Sequence, residues 1–151
     1  MTADLVLASV HHLLAFGLFA VLTAELMLVR YAVNPVALRR LGVIDAVYGL
    51  VAVALIIVGF ARVFHGAKGS EFYLQNPVFW TKIALFAAVG LLSIVPTVRI
   101  LRWQKRLKAD AGWQPPAAEL QQVRRFVMIE IHIAAFIPIA AAMMARGVGL
   151  G

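Results

Sequence analysis

His11, His12, His65 and His132, the acids Glu25, Asp45 and Glu130, and the cations Arg62 and Lys82 stand inside or at the edges of long apolar runs. Ionisable side chains are rare in such surroundings and usually face the interior of a helix bundle, because a charge in hydrocarbon is costly. Neutral imidazole is an axial ligand for haem iron, and helical bundles hold cofactors between facing helices. The two propionates of a haem also need cations or water. An imidazole some way into the membrane with Arg62 and Lys82 nearer the surface meets both demands. The carboxyls suit other work: ion pairing, or passing protons.

The apolar runs that must position these groups are four. They cover about residues 5–29, 43–63, 78–98 and 126–145, and each is long enough for the 20 or so residues a helical span requires. The chain has 151 residues, of which 63% are hydrophobic, against about 45–50% in soluble domains. Cysteine is absent, which excludes disulfides, thiolate metal sites, Fe–S clusters and thiol nucleophiles. The sequence begins MTADLVLASV, without a basic n-region, so the first run reads as a retained helix rather than a signal peptide. The expectation is an all-α integral membrane four-helix bundle, one domain over residues 1–151, with no soluble domain and no convincing internal repeat.

The net charge of +7 would suggest nucleic acid in a soluble protein. Its distribution points instead to topology. Arg30, Arg39 and Arg40 lie in the first connector, and Arg99, Arg102, Lys105, Arg106, Lys108, Arg124 and Arg125 in and around the third, which Pro115-Pro116 splits into a basic extension of the third helix and a lead-in to the fourth. Two spans separate these connectors, so they share a side, and the positive-inside rule makes it cytoplasmic. Both termini then face outward (N-out/C-out), as for a protein of a bacterial cytoplasmic, or inner, membrane. The partners expected are the lipid bilayer and its anionic headgroups, not nucleic acid. Phe72, Tyr73 and Trp80 at the outer boundary, and Trp103 and Trp113 near the inner one, read as interfacial anchors.

Depth sorts the ionisable groups. Arg62, His65 and Lys82 belong near the outer face, and His11 and His12 roughly 10–12 Å below it. Glu25, Asp45 and Glu130 belong in the inner half, with His132 roughly 9 Å above the inner boundary. Arg62 and His65 share a face. Asp45, Gly49, Ala52, Ile56 and Gly59 form one stripe, and Lys82, Phe86, Gly90, Ser93 and Thr97 another, with Pro96 expected to kink its helix. His11 and Glu25, fourteen apart, lie on nearly one face, and His12 points about 100° away from His11. His12 is the first choice for the haem iron, with His132 a candidate second ligand whose depth differs by about 9 Å. His11, His65, Arg62 and Lys82 complete the cofactor-binding candidates. Lys82, Glu130 and Glu25 are the catalytic candidates.

Each group also has a plain structural reading. His11 and His12 can hydrogen-bond to neighbouring helices. Arg62 and Lys82 can snorkel to headgroups. Asp45 can neutralise Arg39 or Arg40, or cap the second helix. Glu25 and Glu130 can pair with Arg124 or Arg125. Met27, Met128, Met143 and Met144 read as packing rather than copper ligands.

The runs HHLLAFGLFAVLTAELMLVR, RRLGVIDAVYGLVAVALIIVGFARVFHGAKGSEFY, NPVFWTKIALFAAVGLLSIVPT and RRFVMIEIHIAAFIPIAAAMMARG resemble a bacterial family of predicted membrane proteins of unknown function, over nearly the whole chain. The resemblance implies four spans and brings no activity. The chain is more distantly similar to the HemJ-type protoporphyrinogen oxidases, small helical membrane proteins that bind haem b. That resemblance implies His12 (or His11) as the haem histidine, Lys82 as the lysine early in the third span and Glu130 as the glutamate of the last. The adjacent histidines, Glu25 and the long basic connector depart from that pattern. Membrane domains of the copper-resistance D type have a comparable outline.

The functional expectation is therefore a haem b-binding membrane protein, redox-active or porphyrin-handling, with its site in the outer half of the bundle. As an enzyme it would be a haem-dependent membrane oxidoreductase, with a quinone or porphyrin as partner. Alternatives are an ion- or proton-coupled transporter using Glu25, Glu130 and Lys82, a copper-handling protein, and a non-catalytic subunit or assembly factor. The absence of an inverted repeat weighs against a transporter. A homo-oligomer stays open.

Overall fold

The computed structural model describes residues 2–31, 34–66 and 68–149; Met1, Ala32, Val33, Ala67, Leu150 and Gly151 lie outside it. The described residues contain helices and no strand. The helices are α1 (Thr2–Tyr31), α2 (Pro35–His65), α3 (Gly69–Leu74), α4 (Pro77–Ala109) and α5 (Ala117–Ala145). All but α3 are long and apolar enough to cross a bilayer.

Local chemistry sets the helix starts. The pair Asn-Pro opens both α2 and α4. Asn34 accepts a hydrogen bond from the Ala37 amide at 2.9 Å and Asn76 from the Val78 amide at 2.8 Å. Pro35 and Pro77 follow at the first helical position, where a missing N–H costs nothing. The helices outrun the apolar runs at the basic end. α2 begins at Pro35 rather than near residue 43, α4 continues to Ala109 and α5 begins at Ala117. Arg, Lys, Leu and Gln favour helix as strongly as most apolar residues do, so helix persists where hydropathy falls. Pro96 and Pro138 lie inside α4 and α5 without ending them.

The four long helices close a ring in the order α1, α2, α4, α5, with α1 opposite α4 and α2 opposite α5. The pairs α1/α2 and α4/α5 are intimate, and the seams α1/α5 and α2/α4 are looser. One end carries the start of α1, the end of α5 and α3 (the terminal end). The other carries most of the cations (the basic end). The main core, with Leu22, Leu38, Leu41, Ile100, Val123 and Val127 all but inaccessible, fills the middle and the basic half. A smaller cluster of Val63, Tyr73, Phe79 and Met144 closes the terminal end. The outer faces are apolar too, with Phe16, Leu50, Ile57, Leu91 and Phe136 exposed, as lipid-facing surface should be.

Two aromatic residues expected at the membrane interface are inside the fold. Tyr73 is buried against Phe79, ring centroids 5.8 Å apart. Trp103 is 1% exposed and donates its indole N–H to Glu119 Oε2 at 2.7 Å. The extension of α4 lays Trp103 against α5, where Glu119 also binds Arg99 at 3.0 Å. Trp80 is exposed, with its indole N–H on the Leu74 carbonyl at 2.9 Å.

A candidate site in two polar layers

The ionisable residues that turn inward form two layers. On α1 His11 and Glu25 are fourteen residues apart, about 21 Å along the axis, and on α2 Asp45 and Arg62 are seventeen apart, about 26 Å. The separation is most of a hydrocarbon core about 30 Å thick.

The terminal layer holds His11 from α1, Arg62 from α2 and Lys82 from α4. His11 packs on Gly59, where an added Cβ would stand 3.5 Å from the imidazole Cε1. Gly59 is one turn deeper along α2 than Arg62. Arg62 and Lys82 are close enough for their charges to act on the His11 ring. Lys82 Nζ lies 5.6 Å from the Phe79 ring centroid, a weak cation–π contact. The charge that acts on Lys82 is the like charge of Arg62, and the Asp4 carboxylate stands at Gly66, one turn along α2 from Arg62. His11 Nδ1 and Arg62 Nε are buried and without a hydrogen-bond partner. Buried polar atoms in folded proteins are nearly always paired, so two orphans side by side mark the layer as incomplete on its own.

The other histidines lie elsewhere. His12 and His132 are exposed on the outer faces of α1 and α5. Each donates Nδ1–H to the carbonyl one turn earlier, His12 to Ala8 and His132 to Met128, both at 2.6 Å. His65 is exposed at the end of α2. His12 and His11 are neighbours with ring centroids 6.3 Å apart, but only His11 faces the bundle.

The second layer gathers Glu25 from α1, Asp45 and Tyr48 from α2, Ser93 and Thr97 from α4, and Glu130 from α5. Glu25, Asp45 and Glu130 are 2%, 5% and 1% exposed and within electrostatic reach of one another. Thr97 donates to Asp45 Oδ1 at 2.7 Å. Tyr48 crosses the diagonal of the ring to donate to Glu130 Oε2 at 3.3 Å, with Ser93 beside its hydroxyl. Glu25 Oε2 and Glu130 Oε1 are buried and unpartnered. Neither glutamate pairs with Arg124 or Arg125, and Asp45 neither meets Arg39 or Arg40 nor caps α2, whose cap is Asn34. All three acids point to the axis while those cations sit on the far turns of the helices. No group of three or more His, Asp or Glu among the described residues is arranged to hold a metal ion.

Tyr48 and Glu119 were not singled out by the sequence, and Thr97 only as a member of the Lys82 stripe. Tyr48 had a signal, since a tyrosine within an apolar span needs a partner for its hydroxyl. Tyr48→Phe should leave Glu130 Oε2 without its partner and lower stability by about 1–3 kcal/mol. Thermal unfolding in detergent, followed by helical circular dichroism, reads this directly. An unchanged midpoint would mean that the 3.3 Å contact contributes nothing.

The chain belongs to the family described as Predicted membrane protein (DUF2214), which matches residues 3–149. Together with its four apolar helices, this makes it a multi-pass membrane protein. No curated protein and no solved structure matches the chain.

Proposed function

We propose that this member of a predicted membrane-protein family binds haem b in the terminal half of its bundle. His11 would supply the axial imidazole, and Arg62 and Lys82 the partners of the propionates. One observation carries the reading: an inward imidazole with an unpartnered nitrogen lies beside two inward cations, which are the formal charges that act on it. A ligand that brings both a metal for the imidazole and two negative charges for the cations fits all three at once. His12 and His132 face outward, so one chain offers one inward imidazole.

Bound haem supplies one-electron chemistry, and a haem-dependent oxidoreductase acting on a quinone or porphyrin is the class of activity such a site would serve. By the distribution of cations the site lies in the outer half of a bacterial cytoplasmic membrane, with both termini outside. Arg62→Gln and Lys82→Gln should each weaken haemin binding about tenfold or more, the equivalent of one charge-assisted hydrogen bond. A spectral titration of the purified protein with haemin measures this. Titrations that superimpose on the parent would remove the propionate role.

A second reading has its own observation, the unpartnered carboxyl oxygens of Glu25 and Glu130 in the other layer. Carboxyls at this depth serve proton relays and ion-coupled carriers. Glu130→Gln separates the readings: it should leave haemin binding intact, whereas a carrier would lose its flux in proteoliposomes.

A further inference from the structure

On the outside of the bundle a groove of about 500 Å³ follows the α2/α4 seam toward the basic end. α2 lines it with Arg39, Gly42, Val43, Ala46, Val47 and Leu50, and α4 with Leu101, Gln104 and Lys108. Its origin is local. Gly42 lets Gln104 come so close that an added Cβ would stand 2.6 Å from the amide carbon of that side chain. Gln104 then donates to the Leu38 carbonyl at 2.6 Å, and Thr97 binds Asp45 two turns further along the seam. These contacts close the inner side of the seam. The small side chains of Gly42 and Ala46 leave its outer side open.

The groove is graded. Arg39 and Lys108 are at its mouth, and both are exposed. Val43, Val47, Leu50 and Leu101 make an apolar trough beyond them, and all four are exposed as well. No acidic residue lines it. From Val43 to Leu50 the apolar trough runs about 10 Å, within the roughly 15 Å of hydrocarbon that one leaflet contributes. The volume lies within the range of about 300–1,000 Å³ typical of ligand sites.

We infer that this groove is a binding site for an anionic glycerophospholipid of the leaflet at the basic end. The phosphate would lie between Arg39 and Lys108, and one acyl chain along Val43, Val47, Leu50 and Leu101. Two cations without an acid select a negative headgroup, and an apolar trough lying within one leaflet selects a chain attached to it. A free phosphate would use the first feature and ignore the second. The site is separate from both polar layers, since its residues face away from the bundle axis.

Native mass spectrometry of the full-length protein, exchanged into detergent and mixed with phosphatidylglycerol or phosphatidylcholine, tests the inference. Phosphatidylglycerol should be retained in preference, as a one-to-one adduct. Arg39→Gln/Lys108→Gln should lower its retention roughly twentyfold, about fivefold for each cation. Ala46→Phe, which fills the trough and keeps both charges, should abolish the preference. Arg124→Gln/Arg125→Gln, on another face of the same end, should not alter it, and excess inorganic phosphate should not displace the lipid. Equal retention of the two lipids by the parent protein, which requires no variant to fold, would overturn the inference. So would a preference that survives Ala46→Phe, or one that the Arg124/Arg125 pair removes, because the attraction would then belong to the basic end as a whole. Displacement by inorganic phosphate would assign the cations to a free anion and overturn it too.

Discussion

His11→Ala is expected to abolish haem retention and its Soret absorption, while His12→Ala leaves both in place. The two residues are adjacent in sequence and chemically identical, so the contrast rests on direction alone. His11 packs inward on Gly59 beside Arg62 and Lys82. His12 is exposed on the lipid face, with Nδ1 committed to the Ala8 carbonyl. Loss of the only inward imidazole removes the metal bond, whereas loss of His12 removes a local hydrogen bond on an exposed face. The spectra of the two purified variants, each shown to be helical, decide it. Loss of the band in His12→Ala with retention in His11→Ala would move the site to the outer face of α1 and require a second chain or another protein to cover it.

A change of opposite sign is expected in the other layer. Glu25→Met should raise stability by about 1–3 kcal/mol, the cost of keeping an unpaired polar group buried. At about 2–4 °C per kcal/mol for a chain of this size, the thermal midpoint should rise by several degrees. Glu25 is 2% exposed, its Oε2 has no partner, and its nearest charged neighbours are also acids. Methionine keeps the length and flexibility of the side chain and removes the polar group. Thermal unfolding in a single detergent makes the measurement. A midpoint lowered by a similar amount would show that the Glu25 carboxyl is held by a partner that outweighs its burial. Stabilisation would mark Glu25 as a residue kept at a cost to the fold, the pattern of groups retained for function.

The spans were legible because hydropathy reports the solvent of a segment, and a bilayer is a uniform solvent. The same uniformity hid which side of each helix faces in. A soluble helix shows a polar face and an apolar face. Here Phe16 and Leu22 are equally apolar, though one is exposed and the other 1% exposed. Choosing between His11 and His12 therefore needed the packing, and spacing could say only that they diverge by about 100°. Helix ends were legible only in part. The basic extension of the third helix was expected, and Arg99 to Ala109 is helical because its residues favour helix, but hydropathy records neither its end nor the start of α2 at Pro35. α3, six residues long, has no period for a pattern to detect.

The site was legible as a set of residues but not as a geometry. The separation of His11, Arg62 and Lys82 from the three acids follows from counting along each span. The pairing inside each layer does not. Tyr48 reaches Glu130 across the diagonal, and Glu119 takes both Arg99 and Trp103. These contacts join helices whose register is set by side-chain packing across the ring. Pairing of Glu130 with Arg124 or Arg125, one of the two readings open for it, is absent for the same reason. Glu130 is about one and a half turns from either and faces the axis, where a tyrosine is nearer than any cation.

The visible absorption spectrum of the purified protein in detergent, oxidised and then reduced, tests haem binding most directly. A Soret band, acquired in the cell or on addition of haemin, with the sharpened visible bands of reduced haem b, is the predicted result. A colourless, fully helical preparation that leaves the spectrum of added haemin unchanged would contradict it.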